Sequence, residues 1–176
     1  GGKDSSTLES FTGLYVADAN STVVNPLTTL ATALVDQGLS REEAKGKVAE
    51  TLGVPESVDV FSYDLIAAAS EGDVSSGATL AASARVANAI RQTSAFMQYV
   101  SDSATDEKDA SALLVAEVAK KMASGEAAPL GDATEMKVVL GAVVESAGYT
   151  SYLSTTDLEG ASQLLASADE LILESQ

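Results

Sequence analysis

Apolar residues recur at helical spacing along the chain from Asn25 onward, and polar turn formers separate the periodic segments. The stretch STVVNPLTTLATALVDQG follows the i, i+3, i+4, i+7, i+8 order of one helix face. Asn25 can cap this helix, Pro26 can open it, and Gly38 can end it. The apolar stripe consists of Leu27, Leu30, Ala31, Leu34 and Val35. The stretch therefore predicts the first helix.

Similar signals predict three more helices in the first hundred residues. Ser40 and Glu43 have the spacing of a capping box, and the helix that they begin is expected to end at Gly53. A short helix is predicted near residues 65–70, and a long one follows over residues 76–101. Because it is the longest predicted element, we expect the last of these to be the central helix.

The remainder of the chain predicts three further helices. The first carries an apolar stripe within residues 114–122. Asp132 with Glu135 is expected to cap the second, and Thr156 with Glu159 is expected to cap the last. The fold class predicted from these patterns is all-α, a compact bundle of about six helices.

The N-terminal segment has a different pattern. In FTGLYVADANSTVV, apolar residues flank ADANS, a cluster of turn formers, so the segment predicts either a short β-hairpin or an extended arm. We therefore expect residues 1–24 to form an N-terminal arm and residues 25–176 to form a single helical domain. The opening GGKDSS has no signal-peptide pattern, and we expect the chain to be a fragment of a longer protein.

Composition limits the classes of partner. Ten basic residues against 26 acidic ones give a formal net charge of −16, which repels nucleic-acid phosphates and anionic lipid surfaces. No apolar run approaches the roughly 20 residues that a membrane-spanning helix needs. We therefore expect neither nucleic-acid binding nor membrane insertion.

The chain contains no His and no Cys. A Ser-His-Asp triad, a Cys-His pair, a thiol redox site and the usual zinc sites are therefore excluded. A carboxylate-based glycoside hydrolase stays open as the third hypothesis, although the most prominent carboxylates have capping positions and no Trp is present to stack against a sugar. We expect the protein not to be an enzyme and to hold no cofactor, with calcium as the alternative.

Calcium prefers loops that are dense in Asp, Asn and carbonyl oxygens. The metal candidates are Asp18 and Asn20 in ADANS, and Asp59 and Asp64 in SVDVFSYD. A further pair, Asp102 and Asp106, lies in SDSATDE. None of these segments matches an EF-hand loop, and we favour the interpretation that the Asp side chains cap helices or form Asx turns.

The segment from STVVNPLTTL through REEAKGKVAETLG to SVDVFSYD resembles a helical "PLTTL" module of very large secreted or surface-anchored bacterial adhesin-like proteins. The later segments ANAIRQTSAF and LGDATEMKVVL are similar to the same module. There such modules lie beside immunoglobulin-like, cadherin-like or calcium-binding repeat segments. The resemblance implies architecture and carries no catalytic residues. Asp59 and Asp64 match its "vD…yD" pair, but Leu65 stands where family members often have Pro.

These observations lead to one preferred function and two alternatives. We expect a non-enzymatic structural or interaction domain, located outside the cell or at its surface. Its expected partners are neighbouring domains of the same large protein and a protein or cell-surface ligand. The alternative is a small ligand- or calcium-binding helical module, and the third hypothesis is the glycoside hydrolase.

Overall fold

A computed structural model describes residues 14–102, 106–126 and 129–175. Within these ranges the chain forms seven α-helices and two short 3₁₀ turns, which confirms the all-α class. The helices are α1 (Pro26–Asp36), α2 (Arg41–Leu52), α3 (Leu65–Glu71), α4 (Ser76–Val100), α5 (Glu107–Ala123), α6 (Ala133–Ser146) and α7 (Thr155–Glu174). The 3₁₀ turns are Pro129–Gly131 and Thr150–Tyr152.

The caps predicted at Asn25, Ser40 and Asp132 are confirmed, whereas Glu135, expected to share the cap of α6, pairs with Lys121 instead. Asn25 accepts a hydrogen bond from the Thr28 amide at 2.9 Å, and Pro26 is the first residue of α1. Ser40 and Glu43 form the predicted capping box of α2. Asp side chains cap three further helices, at Asp64 of α3, Asp106 of α5 and Asp132 of α6. The local sequence signals therefore correspond to real hydrogen bonds.

The predicted cap of α7 is wrong by two residues. The helix begins at Thr155, and Ser154 accepts a hydrogen bond from the Asp157 amide at 3.1 Å. Ser154 and Asp157 have the same three-residue spacing as Thr156 and Glu159, so the pattern occurs twice in this stretch. Glu159 instead accepts a hydrogen bond from Lys137 of α6 at 2.6 Å.

Helices α1 and α4 form the middle of the bundle. Helix α1 packs against α2, α4 and α5, and α4 packs against α1, α3, α5 and α7. The buried apolar side chains form one cluster to which every described α-helix except α3 contributes. Helix α1 is buried along most of its length, and its buried residues include three threonines, whose hydroxyls lose their hydrogen bonds to water.

The N-terminal segment shows no strand between Leu14 and Val24, where the chain runs without regular structure. ADANS does form the predicted turn, with the Ser21 amide donating to the Asp18 carbonyl at 3.1 Å. Phe11 and the next two residues of the predicted hairpin lie outside the described residues. The division into an arm of residues 1–24 and a domain of residues 25–176 stays a prediction.

A buried ion pair joins α4 to α7. Arg85 is 9% exposed and Asp169 is 2% exposed. Arg85 Nε donates to Asp169 Oδ1 at 2.7 Å, and its Nη2 donates to Oδ2 at 2.9 Å. The third nitrogen, Nη1, donates to the carbonyl of Leu52 at the end of α2. A Cβ atom on Gly131 would lie 2.9 Å from Asp169 Oδ2, so the lack of a side chain there makes room for the carboxylate.

We expect Asp169→Ala to lower the free energy of unfolding by about 3–5 kcal/mol, because it leaves the Arg85 guanidinium buried without its counter-charge. The double variant Arg85→Met/Asp169→Leu should recover most of this loss, since it removes both buried charges. Urea denaturation measures both values. Glu50→Ala, which breaks the exposed Lys47–Glu50 pair, is the control and should cost less than about 1 kcal/mol. If Asp169→Ala had a free energy of unfolding equal to or above that of the double variant, the buried unpaired charge would not be the cause of the loss.

Candidate functional site

The two threonines of NPLTTL bind segments on either side of α1. Thr28 is fully buried, and its hydroxyl donates to the Val60 carbonyl at 2.9 Å. Thr29 is 2% exposed, and its Oγ1 accepts a hydrogen bond from the Val16 amide at 3.0 Å. The Thr29 hydroxyl proton can go to the carbonyl of Asn25 at 2.9 Å or of Val16 at 3.1 Å. The two hydroxyls therefore attach both the N-terminal segment and the loop before α3 to one helix.

Arg41, the first residue of α2, connects the same two segments from outside. Its guanidinium forms a salt bridge with Asp18, and its Cζ lies 3.9 Å from the centre of the Phe61 ring. The Thr22 amide donates to the Phe61 carbonyl at 2.9 Å, so the two segments also touch directly. Stacking of a guanidinium on an aromatic face adds a cation–π attraction to the salt bridge.

We call these five residues, Asp18, Thr28, Thr29, Arg41 and Phe61, the lead-in junction. It joins residues 14–24, α1, the start of α2 and the loop before α3, and its Phe61 side chain also belongs to the buried apolar cluster. Sequence reasoning identified NPLTTL as a helix start without assigning partners to its two Thr hydroxyls. It missed Arg41 and Phe61, because the Asp18–Arg41 contact joins residues 23 positions apart and no local sequence pattern predicts it.

Hydrogen bonding favours the ionised form of Asp18. The Arg41 guanidinium, followed by the Ser21 hydroxyl, holds the pKa of the Asp18 carboxyl below its usual value. The Ser21 hydroxyl and the Asn20 amide donate to Asp18 Oδ1 at 2.8 Å and 3.0 Å. The carboxylate of Asp18 is thus engaged by its own turn and by α2.

The remaining calcium candidates have similar local roles. Asp59 accepts hydrogen bonds from the Phe61 amide at 3.1 Å and the Ser62 hydroxyl at 2.8 Å. Asp64 and Asp106 act as the N-caps described above. Asp102 has a left-handed backbone with φ of 52° and borders residues outside the described ranges. The Asx-turn and capping interpretation is confirmed for Asp18, Asp59, Asp64 and Asp106.

The structure does not gather these carboxylates around one point. No group of three or more Asp or Glu residues within the described ranges has the arrangement of a metal site. Asn20 contributes its backbone amide to the Asp18 turn, and its residue is exposed. The calcium site at Asp18, Asn20, Asp59 and Asp64 stays a prediction.

The carboxylates considered for glycoside hydrolysis are engaged as well. Asp132 Oδ1 accepts from the Thr134 and Glu135 amides at 2.7 Å and 3.1 Å. Glu135 pairs with Lys121 at 2.6 Å, and Glu43 belongs to the capping box of α2. Each of these groups therefore has a structural explanation that needs no catalysis.

A search of the described helices for one that combines enough length with enough apolar character to cross a membrane finds none. Comparisons of the chain with protein-family models, with curated proteins and with solved structures find no match. The resemblance to the PLTTL module therefore rests on the quoted residues and stays a prediction.

We expect Asp18→Asn to lower the thermal unfolding midpoint at pH 7, because it removes the charge that faces Arg41. A carboxyl whose pKa is lowered in the folded state stabilises above its unfolded pKa of about 4, and this contribution disappears as pH falls through the folded value. The difference between wild type and variant should therefore be present at neutral pH and vanish in strong acid. Thermal unfolding followed by circular dichroism across the pH range measures it.

Asp36→Asn is the matched control, since it removes an exposed carboxylate of α1 for which no hydrogen bond or ion pair is found within the described residues. It should leave the midpoint nearly unchanged at neutral pH. A difference between wild type and Asp18→Asn that persists in strong acid would show that charge pairing with Arg41 is not the cause.

Proposed function

We propose that this chain is a non-enzymatic structural domain of a large extracellular, adhesin-like bacterial protein, and that it acts as a spacer with a fixed point of entry. The lead-in junction is the observation that carries this proposal. Thr29 and Arg41 attach residues 14–24 to two helices, so the polypeptide that precedes α1 has a defined path into the bundle. A spacer that sets the position of a neighbouring domain needs such an attachment.

Two further observations support a structural role. The candidate carboxylates take part in caps, Asx turns and ion pairs, which accounts for their positions without a reaction. The resemblance to the PLTTL module implies a position beside other extracellular domains. Under this proposal the protein lies at the cell surface, and its partners are the neighbouring domains of the same large chain.

We expect the backbone amide of Val16 to be protected from hydrogen exchange in the wild type, because it donates to the buried Thr29 hydroxyl. Thr29→Val should remove this acceptor, lower the stability by about 1–3 kcal/mol and speed exchange at Val16. Residue-resolved hydrogen exchange and urea denaturation measure the two effects. Unprotected exchange at Val16 in the wild type would make residues 14–24 a loose linker and refute the fixed entry.

Thr32→Val provides the matched control on the same helix. The Thr32 hydroxyl is buried, and no hydrogen-bond partner for it is found among the described residues. Replacing it with the isosteric Val should therefore be neutral or stabilising, and exchange at Val16 should not change. Similar losses in both variants would indicate a general effect of removing hydroxyls from α1 rather than loss of the attachment.

The calcium-binding alternative is tested by thermal unfolding of metal-stripped protein with excess chelator and again with millimolar calcium. A ligand that binds only the folded state raises the midpoint by mass action. We expect no rise beyond that produced by sodium salt of matched ionic strength, because the candidate Asp oxygens are already hydrogen-bonded. A calcium-specific rise that Asp18→Asn or Asp59→Asn abolishes would establish the alternative.

A further inference from the structure

A groove lies between the N-terminal turns of α4 and the C-terminal turns of α7. It has a volume of about 510 Å³ and is open to solvent. Its floor on α4 consists of small side chains, Ala78, Ala81 and Ala84, and α7 contributes Ile172. Because these α4 side chains are short, they leave space that no described part of the chain fills. We call this feature the α4–α7 groove.

Exposed apolar side chains lie on or next to the two helices that form the groove. Leu80, which lines it, is 56% exposed. Leu171 and Leu173, the chain neighbours of Ile172 on α7, are also exposed but do not line the groove. Val74, just before α4, is almost fully exposed. Apolar side chains gathered around a concave surface are typical of a protein-interaction site.

The charge of the surrounding segments selects the kind of partner. Residues 48–84 and 138–176 contain no Lys and no Arg. The nearest basic residue on α4, Arg85, is buried and paired with Asp169. The exposed charges that these segments bring to the ends of α3 and α7 are acidic, among them Glu71, Glu170 and Glu174. The groove therefore combines an apolar floor with negative surroundings.

We propose that the α4–α7 groove binds a basic amphipathic helix of another protein. The apolar face of such a helix, with residues at i, i+3, i+4 and i+7, would cover Leu80 and Ile172, and its Lys or Arg residues would face the acidic ends of α3 and α7. A second copy of this chain is a poor occupant, because each copy carries a net charge of −16. This proposal goes beyond the spacer role and depends on residues outside the lead-in junction.

The test uses the whole chain and a labelled synthetic helix of about 18 residues, with Leu on one face and Lys on the other. Fluorescence anisotropy measures its affinity. Leu80→Gln should weaken binding by roughly tenfold or more, equivalent to about 1.4 kcal/mol. Val138→Gln is the matched control, because Val138 on α6 is 55% exposed and does not line the groove. Affinity in the wild type should also fall as salt is added.

Several results would overturn the proposal. Equal weakening by Leu80→Gln and Val138→Gln would indicate general attraction to an acidic protein. If the wild type bound a peptide with Glu in place of Lys equally well, the groove would not select its partner by positive charge. Sedimentation could show that the chain dimerises with rising concentration and that Leu80→Gln abolishes the dimer, and a second copy would then be the occupant. If deletion of residues 1–13 made peptide binding at least tenfold tighter, the chain's own N-terminal segment would be the occupant. None of these results bears on exchange at Val16.

If Leu80→Gln disturbs the helix, Leu80→Lys is the second variant. It keeps a long side chain with good helix propensity and places a positive charge where the Lys peptide must dock. Its loss of affinity for the Lys peptide, with unchanged helicity by circular dichroism, supports the groove. Unchanged affinity in a folded Leu80→Lys protein would exclude it.

Discussion

The burial of α1 is the constraint on which the structure depends. A helix that other elements cover on several sides cannot leave polar side chains without partners at low cost, since a buried hydroxyl loses its hydrogen bonds to water. Thr28 and Thr29 meet this requirement with carbonyl and amide groups of segments far along the chain, whereas no partner for the Thr32 hydroxyl is found within the described residues. The same hydrogen bonds that satisfy the helix therefore fix the N-terminal segment and the loop before α3.

The sequence predicts the helical elements well because their signals are local. A capping side chain accepts a hydrogen bond from an amide only two or three residues further along the chain. Asn25, Ser40 and Asp132 therefore predict the starts of their helices without knowledge of the fold. The error at α7 has the same origin, because two cap patterns overlap there and local spacing cannot choose between them. Glu159 forms a salt bridge with Lys137 on the neighbouring helix α6, and this contact depends on how the helices pack in the bundle.

The candidate site follows the opposite rule. The contacts that define it join distant positions, such as Asp18 with Arg41 and Thr28 with Val60, and neither pair forms a recurrent motif. Arg85 and Asp169 are missed for the same reason, since each residue on its own reads as an ordinary polar position of a helix. Sequence reasoning could assign the Asp residues to turns, but it could not show that Arg41 turns one of them into a contact between segments.

The attachment of residues 14–24 also determines how the protein responds to a stretching force. Tension entering through the chain before Leu14 reaches the Thr29 hydrogen bonds and the Asp18–Arg41 pair before it reaches the backbone of α1. Rupture of these contacts frees residues 14–24, whose fully extended length is at most about 40 Å at roughly 3.3–3.6 Å per residue. The buried helices remain packed at this stage. Residues 14–24 therefore extend first, and the helical bundle carries the force afterwards.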